Sequence, residues 1–252
     1  MHVYAQSFSL QKGGNKPKEY EDAFSPTDLD HDGEVFRCAV ADGATETSFA
    51  GVWAKLLVRA YVKGSLDSLA DSDALSPLRE RWRLIVRRKP LPWYAEEKVL
   101  FGASATFLGL TLEVPAEAPD KICWRAVAIG DSCLFHVGGD ELRVGFPIER
   151  SMDFNNQPNL LSTDPGWDER LPGHLLSHAG EAKPDDSFYM MTDALACWFW
   201  TSYEQGQAPW QILRDLGTRD MNASFSSFIH SLRQEKIMRN DDVTLLRIEV
   251  TH

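Results

Sequence analysis

The chain has 252 residues, 43% of them hydrophobic, and a formal net charge of −11 from 37 acidic against 26 basic side chains. That length supports a sizeable core within one domain spanning 1–252, while the acid excess argues against a nucleic-acid partner, which needs a basic footprint. No apolar stretch approaches the ~20 residues that cross a bilayer, and Met1-His2-Val3-Tyr4-Ala5-Gln6 lacks the charged and apolar parts of a secretory signal, so a cytoplasmic enzyme or binding protein, with no membrane partner, is expected.

Residues 3–10 alternate loosely and predict a first strand. Residues 12–20 form a polar Gly/Lys/Pro loop, and 35–40 read as a buried strand. Phe49, Val52, Trp53, Leu56, Leu57, Ala60 and Tyr61 follow the i, i+3, i+4 spacing of an amphipathic helix that Gly64 ends. A second helix is expected over 75–86, stopped before Pro90 and Pro92, with Arg81, Arg83, Arg87 and Arg88 as a solvated face. Residues 106–114 and 122–129 read as antiparallel strands, and 133–137 lead into Gly138-Gly139-Asp140, the strongest hairpin signal in the chain. From 146 to 186 the chain is rich in Pro, Gly, Asn and Asp. So long an irregular stretch is usually functional, and it reads as a flap with one or two short strands. A buried strand at 188–192 is followed by helices at 195–203, 210–216 and 225–235, the last capped from Asn222, and by a final strand at 243–250. Strand runs interrupted by paired helices, without regular βαβ alternation, point to an α+β fold.

Acidic residues recur where strands are expected to end. Asp42-Gly43 closes the run at 35–40, Asp131 follows 126–130, and Asp193 ends the run at 188–192. Glu21-Asp22 and Asp241-Asp242 each precede an apolar run. A carboxylate and a glycine carbonyl at the end of a rigid strand suit a hard cation, which takes oxygen ligands. Asp is also common there as a cap, and Asp193 is placed to cap a helix beginning at Ala194. The set of five sites, more than any one of them, points to a metal cluster.

The motifs occur in the order Glu21-Asp22-Ala23-Phe24, Val40-Ala41-Asp42-Gly43, Gly102-Ala103-Ser104-Ala105-Thr106, Ile129-Gly130-Asp131-Ser132, Met191-Thr192-Asp193-Ala194 and Asp241-Asp242-Val243-Thr244. Over nearly the whole chain this series resembles the metal-dependent serine/threonine protein phosphatases of type 2C, in their bacterial branch. The resemblance implies a four-layer α/β/β/α sandwich of two antiparallel sheets flanked by helical pairs. It implies two Mn²⁺ or Mg²⁺ ions at one end of the sandwich and hydrolysis of phosphoserine or phosphothreonine by a hydroxide bridging them. Asp22 then looks like the bridging carboxylate, and Asp42 and the Gly43 carbonyl like ligands of one or both ions. Asp193 and Asp241 look like ligands of the other, Glu21 resembles a residue that holds metal-bound water, and Asp131 resembles a contributor to a weaker third site seen in some members. The implied partners are phosphoproteins, a cognate serine/threonine kinase or its substrates. Two divalent ions ~3.5–4 Å apart polarise phosphoryl oxygens and activate water near neutral pH, so Ser104 and Ser132 need no catalytic role. Two other readings are a phosphatase-fold module that binds phosphoproteins with weak or no catalysis, and a hydrolase of small phosphoesters.

Some positions depart from the family. The arginine that many members carry before Glu-Asp is absent from Lys16-Pro17-Lys18-Glu19-Tyr20, leaving Lys16 or Lys18 as candidates for the substrate phosphate. Thr45-Glu46-Thr47-Ser48 replaces a glycine pair, and Ala194 replaces the glycine after Asp193. His174 and His178 have helix-face spacing but no acidic partner for zinc. His136 reads as structural, Trp198, Phe199 and Trp200 as core or interface, and Cys38, Cys123, Cys133 and Cys197 as buried thiols rather than a disulfide framework.

Overall fold

The computed structural model describes residues 1–27, 29–45, 47, 49–66, 69, 72–89, 99, 101–155, 157–216 and 221–251. Glu46, Ser48, Pro90 and Pro92 lie outside the described residues. Six strands, β1 (His2–Leu10), β3 (Leu29–Asp32), β8 (Cys133–Gly138), β9 (Glu141–Phe146), β12 (Ser187–Met191) and β13 (Val243–Thr251), form one antiparallel sheet in the order β3-β1-β13-β12-β8-β9. Five more, β2 (Ala23–Ser25), β4 (Val35–Ala41), β6 (Phe107–Glu113), β7 (Ile122–Ile129) and β11 (Leu176–Ala182), form the second in the order β11-β7-β6-β4-β2. The short strands β5 (Ser104–Ala105) and β10 (Leu161–Ser162) pair with each other.

The central strands are covered on both faces, which explains their near-continuous apolar sequence. Alternate side chains point between the sheets, where Phe36, Cys38, Val40, Leu108, Leu110, Phe188, Met190, Leu246 and Ile248 share one core. Burial there pushes the Cys38 thiol far above its ordinary range. The outer face of the β2–β11 sheet takes α1 (Ala50–Val62) and α2 (Ser72–Arg87), with Trp53, Leu57, Tyr61 and Trp82 packed on Ala39, Phe107 and Ile129. A Cβ at Gly109 would lie 2.6 Å from the Tyr61 ring, so glycine is what lets α1 sit this close to the sheet. The other sheet is covered by α3 (Asp193–Glu204), α4 (Pro209–Asp215) and α5 (Met221–Gln234), with Leu195, Phe199, Leu213, Phe225 and Ile229 packed on Phe135, Tyr189, Met191 and Leu245. The result is the α+β, four-layer sandwich that the motif order implies.

The edge of one sheet carries a strand that the sequence reading did not expect. β3, Leu-Asp-His-Asp, has no apolar alternation because it is an edge strand whose side chains mostly face water. The stretch read as a flap with one or two short strands holds β10 and β11, and β11 pairs with β7 from Leu176↔Ala128 to Ala182↔Ile122. His174 and His178 share no helix; His178 sits on β11 and stacks on Trp124 at 5.4 Å. α5 is described from Met221, with Asn222 already inside it. Arg81, Arg83, Arg87 and Arg88 are exposed, as a solvated face requires. Among the described residues no helix is long and apolar enough to cross a membrane.

Candidate active site

Strand register brings the acidic motifs to one end of the sandwich. Ala23 pairs with Ala41, so Asp22 and Asp42 leave the sheet side by side. Met191 pairs with Cys133 and with Leu245, so Asp193, Asp131 and Asp241 flank the same ends of β12, β8 and β13. Asp193 is the first residue of α3, and Thr192 is the capping residue, without a side-chain cap bond.

Asp22 is 1% exposed. Its Oδ2 accepts hydrogen bonds from the Thr192 and Thr244 hydroxyls at 3.0 and 2.7 Å. Its Oδ1 is buried and receives a hydrogen bond from no donor, while a protonated Asp22 carboxyl shares its own hydrogen bond with Asp42. Two neighbouring strands thus fix one oxygen of this carboxylate and leave the other uncommitted. Asp242 holds the loop that carries Asp22, its Oδ1 and Oδ2 accepting from the amides of Lys12 and Glu21, both at 2.7 Å. A Cβ on Gly43 would fall 2.7 Å from the Glu21 carbonyl oxygen, so only glycine allows the β4 turn to pass so near this loop. Asp242→Ala strands both amides, each worth about 1–3 kcal/mol when buried and unpaired. At about 2–4 °C per kcal/mol for a chain of this size, its melting temperature in chelator is expected to drop by several degrees; an unchanged melt would mean that water replaces the carboxylate.

A cleft of about 540 Å³ opens at this end, and its walls include Asp42, Thr45, Thr47, Thr106, Asp193, Arg239 and Asp241. Arg239 is ion-paired with Asp193, and its Nε lies 3.6 Å from Asp241 Oδ2. Lys12 Nζ approaches Asp241 Oδ1 at 3.8 Å. Lys16 and Lys18, by contrast, are exposed around the 3-10 turn Pro17–Glu19 and are not in the cleft wall. Arg239, Lys12 and the Thr192–Thr244 pair were not singled out from sequence. The nearest signal for Arg239 is its place two residues before Asp241 in Arg239-Asn240-Asp241-Asp242.

Crowded, partly desolvated acids hold protons tightly. Burial, then the charges of Asp242 and Asp241, raises Glu21 to about 7. Burial, then Asp42, pushes Asp22 well above the carboxylate range. Asp42 rises to about 7 by burial, although a hydrogen bond from Asp22 draws it back down. Burial takes Asp131 to about 6, opposed by the positive charge of Arg239. In an unfolded chain these groups lose their protons near ~4. Above that the metal-free folded state binds more protons than the unfolded one, so stability is fully present below ~4 and declines as pH rises through 6 to 7. Melts in chelator are therefore expected to fall between pH 5 and pH 8, and a melting temperature that rises over that interval would contradict this electrostatic picture.

The donor set fits a hard divalent cation. It is all oxygen, and buried Oδ1 atoms of Asp22, Asp131 and Asp193 have no hydrogen-bond partner. Among the described residues, however, no three acidic, histidine or cysteine side chains stand ready to enclose one ion. Arg239 supplies the positive charge instead, at Asp193 and Asp241.

The family model described as Protein phosphatase 2C matches residues 16–244. No curated protein matches the chain in sequence. Among solved structures, the serine/threonine phosphatase PstP/Ppp of Mycobacterium tuberculosis aligns over 100% of both chains with 17% identity and a TM-score of 0.57. The photosystem II phosphatase PBCP aligns over 99% of both chains with 12% identity and a TM-score of 0.59. The PstP catalytic domain in complex with two manganese ions covers 99% of this chain and 100% of its own, with 17% identity and a TM-score of 0.56. These likenesses agree on the fold, the sequence match covers nearly the whole chain, and the chain belongs to the protein phosphatase 2C family of phosphoprotein phosphatases.

Proposed function

We propose that this protein hydrolyses phosphoserine and phosphothreonine in proteins with the help of two divalent cations, Mn²⁺ or Mg²⁺. The observation that carries this reading is the set of buried, unpartnered carboxylate oxygens on Asp22, Asp131 and Asp193 at one end of the sandwich. Asp22 would serve both ions, Asp42 and the Gly43 carbonyl one or both, Asp193 and Asp241 the second, Glu21 would hold water at the ions, and Asp131 would contribute to a weaker third site. When bound, such ions supply an activated water and neutralise charge on the phosphoryl oxygens. The protein's own part is orientation. Thr192 and Thr244 aim Asp22, Asp242 holds the Glu21-Asp22 loop, and Thr106 holds the Asp42 turn through the Asp42 amide at 3.1 Å. The manganese pair of the PstP complex supports the choice of ion. The natural substrates would be phosphoproteins of a cognate serine/threonine kinase.

Hydrolysis of an aryl phosphate and of a phosphothreonine peptide, with Mn²⁺, with Mg²⁺ and with chelator, tests the proposal. Turnover that needs the cation and ends on chelation is expected. Silence with intact Mn²⁺ binding would make the protein a phosphoprotein-binding module. Turnover of the aryl phosphate alone would point to small phosphoesters.

A further inference from the structure

We infer that Arg239 is the residue that grips the substrate phosphate. The inference rests on the phosphatase reading and names a residue for it. A dianionic phosphoryl group is best recognised by a cation that presents two parallel donors. Lys16 and Lys18 precede Glu21-Asp22 in sequence, but they are exposed outside the cleft wall. Arg239 is in that wall, and its side chain is 43% exposed, so it is open to an arriving ligand. It is the one cation among the described residues that line the cleft.

The surroundings of Arg239 carry the inference further. Its ion pairs are with Asp193 and Asp241, the carboxylates assigned to one of the cations. Once those carboxylates are committed to cations, the guanidinium has lost its partners and is left beside the place where the phosphoryl oxygens arrive. Two acceptor oxygens of a phosphoryl group match its fork as a carboxylate does. Residue 239 lies in the connection between α5 and β13, beside the Asp241-Asp242 pair at the start of that strand. The same side chain thus neutralises the metal-free cleft and binds anion in the loaded one. A lysine there would keep the charge and lose the fork.

The test compares Arg239→Ala, Arg239→Lys, Lys16→Ala and Lys18→Ala in the full chain. Three readouts are needed: KM and kcat for a phosphothreonine peptide, product inhibition by inorganic phosphate, and calorimetric Mn²⁺ affinity. Loss of a charge-assisted contact of this kind corresponds to about a 10- to 100-fold change. Arg239→Ala is expected to raise KM and the phosphate inhibition constant by that factor, with kcat affected less. Its Mn²⁺ affinity is expected to be undiminished, because a competing cation has gone, and Arg239→Lys is expected to recover part of the loss. Unchanged KM and phosphate inhibition in Arg239→Ala would overturn the inference, as would the same effects appearing in Lys16→Ala or Lys18→Ala instead. Loss of Mn²⁺ binding in Arg239→Ala would also overturn it, by making Arg239 a support of the acid cluster. Calorimetric phosphate binding to the Mn²⁺-loaded protein separates the two levels. If the wild type binds phosphate through Arg239 yet turns nothing over, the catalytic reading fails and the anion site stands. If it binds no phosphate, the Arg239 inference fails, and the catalytic reading stands or falls on turnover.

Discussion

Asp22→Asn is expected to lower kcat by at least about 100-fold at millimolar Mn²⁺, a loss of several kcal/mol of transition-state stabilisation. The substitution is close to isosteric. The amide oxygen can take over the bonds from Thr192 and Thr244 that now reach Oδ2, so the strand ends keep their links. The amide NH₂ then falls where Oδ1 stands buried and unpartnered, and it presents hydrogens where a cation needs a lone pair. The variant should therefore fold, melt in chelator near the wild-type temperature, and fail to turn over. Near-wild-type turnover would remove Asp22 from the metal site.

The second large effect is a pair of opposite changes in Asp42→Asn. Activity is expected to drop by about 100-fold or more, since the carboxylate proposed to meet the cation becomes a neutral amide. The metal-free protein, however, is expected to gain stability at pH 8. Asp42 holds its proton up to about 7 because its charge is buried and faces Asp131 and Asp241. Removing that charge relieves a strain on the order of 1–2 kcal/mol in the ionised cleft. The gain should vanish at pH 5, where the wild-type group is already protonated. Asp193→Asn should behave differently, because Asp193 is ion-paired with Arg239 and its loss leaves that pair broken. A destabilised metal-free Asp42→Asn at pH 8 would show that the buried charge of Asp42 does not strain the metal-free cleft.

The parts that were legible in sequence share one physical cause, strong hydrophobic patterning with an abrupt end. β4, β7 and β12 are covered on both faces, so they read as apolar runs, and the acids at their ends stand out against them. β3 and β11 are edge strands facing water, and their residues, Leu-Asp-His-Asp and Leu-Ser-His-Ala-Gly-Glu-Ala, carry a loop's composition. Sequence order exposed the acidic residues because each sits beside its own strand. It could not expose Arg239, whose meeting with Asp193 spans the whole of α3 to α5 and depends on the register of β12 against β13. Nor could it show that Lys16 and Lys18 lie outside the cleft wall. Proximity to Glu21 along the chain favoured the lysines, while the 3-10 turn at Pro17–Glu19 leaves them exposed. Asp242 was legible as an acid, and its role as acceptor for the Lys12 and Glu21 amides required the fold.

In the proposed mechanism everything depends on divalent cations binding to the acids at one end of the sandwich. Calorimetric titration of the metal-free protein with Mn²⁺ at pH 7.5 tests it most directly. At least two ions per chain are expected, with proton release on binding because Glu21 and Asp42 hold their protons up to about 7, and at least one ion fewer in Asp22→Asn. Absence of Mn²⁺ binding in the wild type, or an identical isotherm in Asp22→Asn, would contradict the mechanism.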